Sequence, residues 1–276
     1  MPFPGLLAIQ HRNALPLTNL TLNFDPSQGG TVWQTVTSGN NPAWSVAGAD
    51  GIAAEALSSI VPASPSDIGL MYPANSSQSP IYKTTAPALT LPCLLFDGIN
   101  DGYQLKIRNG LVPLGPSAFC GASAKTFLVA FQIHAASQNN GTINPPLNHP
   151  IWQVHIVCGI SVRRSSTGPD VYQIQFFNTA NGATFEVIEF PILLNTNYVA
   201  CLTHDGVNLK GSINGGPQSS IASGATNSFG GTFTAGINGG GNRFSNYSLG
   251  QALVFNAALS GSDLTAANTY MVNKWT

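Results

Sequence analysis

From Ala88 onward, hydrophobic and polar positions alternate along much of the chain with a period of two. "KTFLVAFQIHA" (125–135), "VYQIQFFN" (171–178), "ATFEVIEFPI" (183–192) and "NYVACLTHDG" (197–206) each read as a strand with one buried face. In "IWQVHIVCGISV" (151–162), Trp152, Val154, Ile156, Cys158 and Ile160 fall on one side. "LTLNFD" (Leu20–Asp25) alternates in the same way and reads as the first strand, while "VNLKGSINGG", "FTAGINGGGNRF" and "LGQALVFN" complete the series. Asp97-Gly98 and Asp101-Gly102 supply turn chemistry, and Asn214-Gly215 is a hairpin-type turn. No helical pattern alternates with these strands, so the text predicts an antiparallel sandwich or barrel and excludes a parallel α/β sheet.

Three stretches depart from that rhythm. Residues 1–19 are apolar and broken by prolines, and they read as an arm whose Phe3, Leu6, Leu7 and Ile9 could dock on another surface. Residues 20–276 read as one domain. Within it, about 26–87 is turn-rich and is expected to wrap the sandwich irregularly, pinned by Trp33 and Trp44, with a short helical stretch around Ile52–Ser59. Near the end, Ser260 with Asp263 spells a capping box, and the helix it starts carries Leu264, Ala267, Met271 and Trp275 on one stripe. That stripe is expected to pack on the sandwich and close it.

Composition narrows the picture. Hydrophobic residues are 43% of the 276, enough for a large core, but charged residues are only 8%, against roughly 25% in an average globular protein. Ser, Thr, Asn, Gln and Gly must therefore cover the surface. The net charge of −1, with Arg163-Arg164 the one adjacent basic pair, leaves no footprint for a nucleic-acid partner. No run approaches the roughly 20 apolar residues of a membrane span, and the start lacks the basic-then-apolar pattern of a secretory signal. Cys93, Cys120, Cys158 and Cys201 stand far apart in apolar settings; buried thiols are the main reading, with one or two disulfides as the alternative.

"LPCLLFDGINDGYQL" (91–105) resembles the strand–turn–strand "lpxLxFDGxdDyL" of bacterial and phage proteins in the concanavalin A-like, laminin-G-like jelly-roll superfamily. "YVACLTHDGVNLKGSING" (198–215) resembles their "DGxxxxxxxNG" pair. The stretch from Ala235 to Trp275, with "LGQALVFNAALSGSDL" and "YMVNKW", resembles their closing motif, and "LNFDPSQGGTVWQ" their lead-in. The resemblance spans about Leu20–Trp275. It implies an all-β, two-sheet antiparallel jelly-roll sandwich with a short C-terminal helix, and no one activity.

Glycoside hydrolysis needs two carboxylates across a sugar. The only nearby pair, Glu186 and Glu189, is spaced by three and should fall on opposite faces of a strand. Asp97, Asn100 and Asp101 form an oxygen-rich turn that could hold calcium, although Asp and Asn are also ordinary turn residues; no other cofactor is indicated. The histidines carry no ligand spacing, and His155 and His204 read as hydrogen-bonded strand residues. Trp33, Trp44, Tyr72, Tyr82, Phe244 and Tyr247 lie in loop-like text and are the candidates for stacking on sugar rings, set against packing anchors. The resulting expectation is a non-enzymatic structural or adhesion protein of a bacteriophage virion: a decoration, fibre or tail-associated jelly roll, assembled in the host cytoplasm. Its partners would be other virion subunits, copies of itself and a cell-surface glycan, without nucleic acid or membrane insertion. The alternative is a carbohydrate-binding module of a bacterial surface or secreted protein, and a glycoside hydrolase ranks third.

Overall fold

The computed structural model describes residues 15, 18–27, 32–34, 54–60, 69–73, 80–84, 89–107, 124–135, 149–154, 157–164, 171–179, 184–224, 233–237 and 244–276. In chain order the strands are β1 (Leu20–Phe24), β2 (Val32–Gln34), β3 (Ala54–Ile60), β4 (Gly69–Pro73), β5 (Ile81–Lys83), β6 (Cys93–Asp97), β7 (Tyr103–Ile107), β8 (Lys125–Ala135) and β9 (His149–Val154). They continue with β10 (Cys158–Arg164), β11 (Tyr172–Asn178), β12 (Glu186–Ile192), β13 (Asn197–His204), β14 (Asn208–Ile213), β15 (Ser219–Ala222), β16 (Phe233–Ala235) and β17 (Asn246–Phe255). The helix α1 (Gly261–Trp275) follows.

Every strand pairing is antiparallel, and the pairings make two layers. A front sheet runs β15-β14-β13-β8-β17-β6-β5, and a back sheet runs β12-β11-β10-β9-β16-β7-β4-β3-β2. Strand β1 joins the layers, pairing β17 on one side and β3 on the other. The expected all-β antiparallel sandwich with one C-terminal helix is therefore the observed architecture.

Alternation explains why the layers stack. Phe127, Val129 and Phe131 of β8 point inward with Leu249 and Val254 of β17, and meet Trp152, Ile160, Ile174 and Phe176 of the back sheet in one buried core. The opposite side of β8, β13 and β17 is apolar as well: Leu128, Ala130, Val199, Cys201 and Leu253 form a second buried cluster. A strand that is apolar on both faces needs cover on both. Helix α1 supplies the second cover, burying Ala267, Met271 and Trp275 there with Leu264 packed alongside. The stripe read from the sequence is the docking stripe.

Trp275 is held tightly. A Cβ placed on Gly250 would stand 2.7 Å from two carbons of its ring, so the indole lies directly on the β17 backbone. Its Nε1 donates to Gln251 Oε1 at 3.0 Å, as does Lys274 Nζ. Lys274 also pairs with the buried Asp25 just beyond β1, and Gln251 Nε2 donates to Asn23 Oδ1 at 2.8 Å. The "LNFD", "LGQ" and "KW" segments thus converge at one seam.

Several expectations are corrected. The capping box does not form: Ser260 is the N-cap but makes no side-chain cap hydrogen bond, and Gly261 after it has φ +54. Asp263 still sits in the first turn, where the helix dipole favours it. Of the stretch proposed as a helix around Ile52–Ser59, the described part from Ala54 belongs to β3, which is held by three neighbours, β1, β2 and β4, so pairing overrides the local Ala propensity. Within 26–87, expected to wrap irregularly, the described residues carry β2 to β5, and the rest of the stretch lies outside the described residues. "IWQVHIVCGISV" is two strands of a hairpin: Val154 faces Cys158 and Trp152 faces Ile160. Residues paired across a hairpin lie on the same face, so a period of two runs through the reversal unbroken. The resembling "LPCLLFDGINDGYQL" is a crossing between layers, with β6 in the front sheet and β7 in the back. The arm residues Phe3, Leu6, Leu7 and Ile9 lie outside the described residues. So do Trp44, Cys120, His155 and Ile156.

Candidate functional site

Tyr82 and Tyr247, offered as sugar platforms, are core residues. Tyr247 is fully buried, stacks on Phe96 with centroids 4.6 Å apart and donates its hydroxyl to Ile151 O at 3.0 Å. Tyr82 is buried and donates to Pro26 O at 3.2 Å. Their text looks like loop because each strand there is short or follows a turn. Phe244 is half-buried and makes a bridge with Ile237, while Trp33 lies in β2 and Tyr72 in β4.

The Asp97–Asp101 turn is built from its own carboxylates. Asp97 Oδ1 accepts from the amides of Ile99 (2.7 Å) and Asn100 (3.2 Å), and Asp101 Oδ2 accepts from the Asp97 amide at 2.8 Å. Burial pushes the Asp101 carboxyl up to about 7, against the pull of that amide and with the Asp97 charge adding to the rise. Among the described residues, no group of three His, Cys, Asp or Glu side chains gathers to hold a metal. The three described cysteines, Cys93, Cys158 and Cys201, are buried free thiols.

Glu186 and Glu189 fall on opposite faces of β12, as the spacing demands. Glu189 is gripped by Arg163, whose Nη2 donates to Oε2 at 2.9 Å while Nε lies 2.9 Å from Oε1 without hydrogen-bond alignment. Gln175 Nε2 donates to the same carboxylate at 2.7 Å. Glu186 accepts a long bond from Ser223 Oγ at 3.4 Å.

Two serine–histidine pairs invite a test for nucleophilic chemistry. The Gly206 amide donates to His204 Nδ1 (3.1 Å), which puts the imidazole proton on Nε2, facing Ser223 Oγ at 3.3 Å. An imidazole that points its proton at a hydroxyl cannot remove the hydroxyl's own, and both residues are buried. The second pair has the other order: Asn195 Oδ1 meets His134 Nδ1 at 3.3 Å, leaving Nε2 to accept from Ser248 Oγ at 2.7 Å. Ser248, however, is 1% exposed, with Leu95 in register on one side and Gln132 on the other, so its hydroxyl is closed to a substrate.

An open site lies elsewhere, between α1 and the turn that links β14 to β15. That turn is tight because Asn214 (φ 50) and Gly215 (φ 69) both take the left-handed conformation, and the Gly216 amide donates to Ile213 O at 2.9 Å. Asn214 Oδ1 also accepts from the Val199 amide at 2.8 Å, fixing the turn to β13. The result is a groove of about 350 Å3. Its polar lining includes Asn214, Gln218, Thr265, Thr269 and Asn273, with Ser212 and Asn268 behind them; Gly215, Gly216, Leu264 and Val272 give it apolar walls.

Two of the polar groups are unusual. The Ser212 hydroxyl (residue 1% exposed) and Asn268 Oδ1 (residue 9% exposed) have no hydrogen-bond partner within the chain. Asn268 Nδ2 is engaged, donating to Leu264 O at 3.0 Å, which turns its Oδ1 away from the helix backbone. Both side chains lie beside the buried Cys201 sulfur, on the side of α1 that packs on the sheet. Burial pushes that thiol up to about 12, with Asn268 and Ser212 pulling the other way. Leaving such groups unpaired costs about 1–3 kcal/mol each. Sequence reasoning did not single out either residue. A signal existed for Asn268, an amide placed four residues after Leu264 on the face that docks.

The fold and this groove define an antiparallel β-sandwich with a polar surface cleft beside its closing helix. No protein-family model matches the chain, and no curated protein matches it. Solved structures with a similar arrangement include Trypanosoma rangeli sialidase (14% identity, TM-score 0.46), with 92% of this chain and 33% of that chain covered. A Trypanosoma rangeli sialidase mutant displaying trans-sialidase activity gives 15% identity and a TM-score of 0.47, over 94% and 34% of the two chains. The receptor-binding domain of botulinum neurotoxin mosaic serotype C/D gives 10% identity and 0.45, over 89% and 51%. The chain thus spans about a third of the sialidase length and about half of the toxin domain. At these values, the likeness transfers no residue and no activity. It does correct the expectation of a non-enzymatic protein, because proteins similar in architecture include sialidases, which are enzymes.

Proposed function

We propose that the chain is a concanavalin A-like jelly roll that binds glycans through the groove between α1 and the β14–β15 turn. The observation that carries this is the lining of that open cleft, where hydroxyls and amides stand over glycine and aliphatic walls. Sugars present what such a lining lacks: hydroxyls to pair with amides, and C–H faces to lie on glycine and aliphatic walls. The jelly-roll assignment is supported by the way the motif residues meet, Asp25 with Lys274 and Trp275 on Gly250. A glycan array is the test. Binding that Thr265→Ala and Asn273→Ala both weaken supports the reading, and binding indifferent to both, or no binding at all, refutes it.

The setting we propose is adhesion, on a virion or on a bacterial surface. Its support is compositional: with 8% charged residues, contacts with partner subunits or glycans would rest on hydroxyls, amides and apolar area. Incorporation into particles after deletion of residues 1–16 tests the virion setting, since unchanged incorporation would rule out docking through that arm.

A further inference from the structure

We propose that His204 is an acid-sensitive latch on β15: when the imidazole gains a second proton, the end of that strand comes loose. The latch is independent of the groove and of what it binds. Among the described strands β15 pairs with β14 alone, and its residues are mostly exposed. Ser223, directly after it, is buried and held at three points. Its amide donates to Val207 O, in the β13–β14 turn, at 2.7 Å. Its hydroxyl accepts from Asn178 Nδ2 of β11 at 2.8 Å and faces His204 Nε2 at 3.3 Å. Asn178 Nδ2 also reaches Gly224 O at 3.2 Å, so the chain leaving β15 is tied to the back sheet.

The imidazole can hold this arrangement in one protonation state only. The Gly206 amide donates to Nδ1 at 3.1 Å, which uses the single lone pair of the neutral ring. A hydroxyl partner could turn and accept instead, but a backbone amide cannot. A proton on Nδ1 therefore sets N–H against N–H and pushes Gly206 away. Val207 follows Gly206 in the same turn, so the carbonyl that holds the Ser223 amide moves with it.

The surroundings of the ring add to the push. Lys125 of β8 stands in register with His204 and is fully buried, and its charge is felt by the Cys158 thiol of β10, which is paired with Asn178. Two buried cations side by side repel each other with little water to screen them. The acids of this end of the sandwich are already engaged. Glu186 of β12 accepts from Ser223 Oγ at 3.4 Å, so the serine hydroxyl bridges it to the ring. Asp205 pairs with Lys210 at 3.0 Å and accepts from the amides of Val207 (2.9 Å) and Asn208 (2.7 Å).

The experiment follows amide exchange and the His204 ring nitrogen shifts together by NMR, from about pH 8 to about pH 5, with the intrinsic rates divided out. In the wild type the Gly206 and Ser223 amides should exchange about tenfold faster in acid, with a midpoint where the His204 ring gains its proton, while β8 and β17 stay protected. His204→Asn keeps an acceptor near the Nδ1 position and cannot be protonated, so the pH dependence should vanish. Ser223→Ala removes the hydroxyl that the ring faces, so the Ser223 position should exchange fast at every pH. Melting temperatures at the alkaline end check that both variants fold, and the two wild-type midpoints decide the question even where a variant does not. A ring that gains its proton with no change at Gly206 and Ser223 would overturn the latch. So would a ring that stays neutral throughout, slower exchange in acid, or a pH dependence that survives in His204→Asn.

Discussion

Placing a methyl group on Gly250 should loosen the C-terminal helix, and the cost can be worked from the contact it would make. A Cβ there would be 2.7 Å from Trp275 Cε3 and Cζ3 and 3.0 Å from Cδ2. These are atoms of a rigid ring, and the ring is tethered through Nε1 to Gln251, so it cannot rotate out of the way. Overpacking of this kind costs about 1–3 kcal/mol. Lifting the indole would also weaken its hydrogen bond, worth about 1 kcal/mol. Gly250→Ala should therefore destabilise the fold by about 2–4 kcal/mol. Trp275→Ala, which empties the fully buried site, should cost about 3–5 kcal/mol. With the indole gone, the added methyl meets no ring, and the same Gly250→Ala change should be neutral or slightly stabilising, because alanine orders at lower entropic cost than glycine. Urea unfolding of the four proteins of this cycle, followed by far-UV circular dichroism, measures the coupling. The expected interaction is about 2 kcal/mol or more, well above the ~0.5 kcal/mol scatter of independent sites. Additive costs would show that Trp275 does not rest on Gly250 and that the seam is drawn wrongly.

Four other outcomes follow from the same contacts. In the folded chain Asp101 keeps its proton up to about pH 7, while the unfolded carboxyl releases it near 3.8. The folded state therefore holds more protons in that window, and stability should fall as pH rises through it, by at most ~4 kcal/mol; Asp101→Asn should flatten the slope in melts taken from pH 4 to 7. Ser212→Ala, which removes an unpaired buried hydroxyl, should raise stability by about 1 kcal/mol in the ligand-free protein, measured by the same melts. Lys274→Met leaves the Asp25 carboxylate buried without its cation and should cost about 3 kcal/mol, largely recovered when Asp25→Asn is added. Cys93, Cys158 and Cys201 should resist a thiol reagent until the chain unfolds, since all three are buried and burial pushes the Cys158 and Cys201 thiols up to about 11 and about 12.

Long strands and the closing helix were legible in the text, because each repeats one period over enough residues to be unambiguous: "KTFLVAFQIHA" is β8 from its first residue to its last. What was hidden depended on partners remote in sequence. Nothing local in "AEALSSI" announces a strand; its three neighbouring strands make it one. Nothing in "FDGIND" shows that the chain changes layer there. Tyr247 reads as a loop aromatic because Asn and Ser flank it, whereas the pairing of β17 with β6 and β8 turns it inward. The groove was the least legible part. Ser212 and Asn268 are ordinary residues until the β14–β15 turn and α1 bring them to the same cleft, and their lack of partners is a property of three-dimensional packing alone.

The junction of β1 with β17 has a consequence for how the protein comes into being. Leu22 faces Val254, and Asp25 waits for Lys274, 249 positions later. A ribosome would release β1 and β3 long before β17 exists, so the edge of β1 that meets β17 would stay unpaired for most of translation. Closure between residues so remote is slow by topology. The nascent chain is thus a natural client for chaperones, and mutations along this seam should lower soluble yield in cells more than they lower the melting temperature of the finished protein.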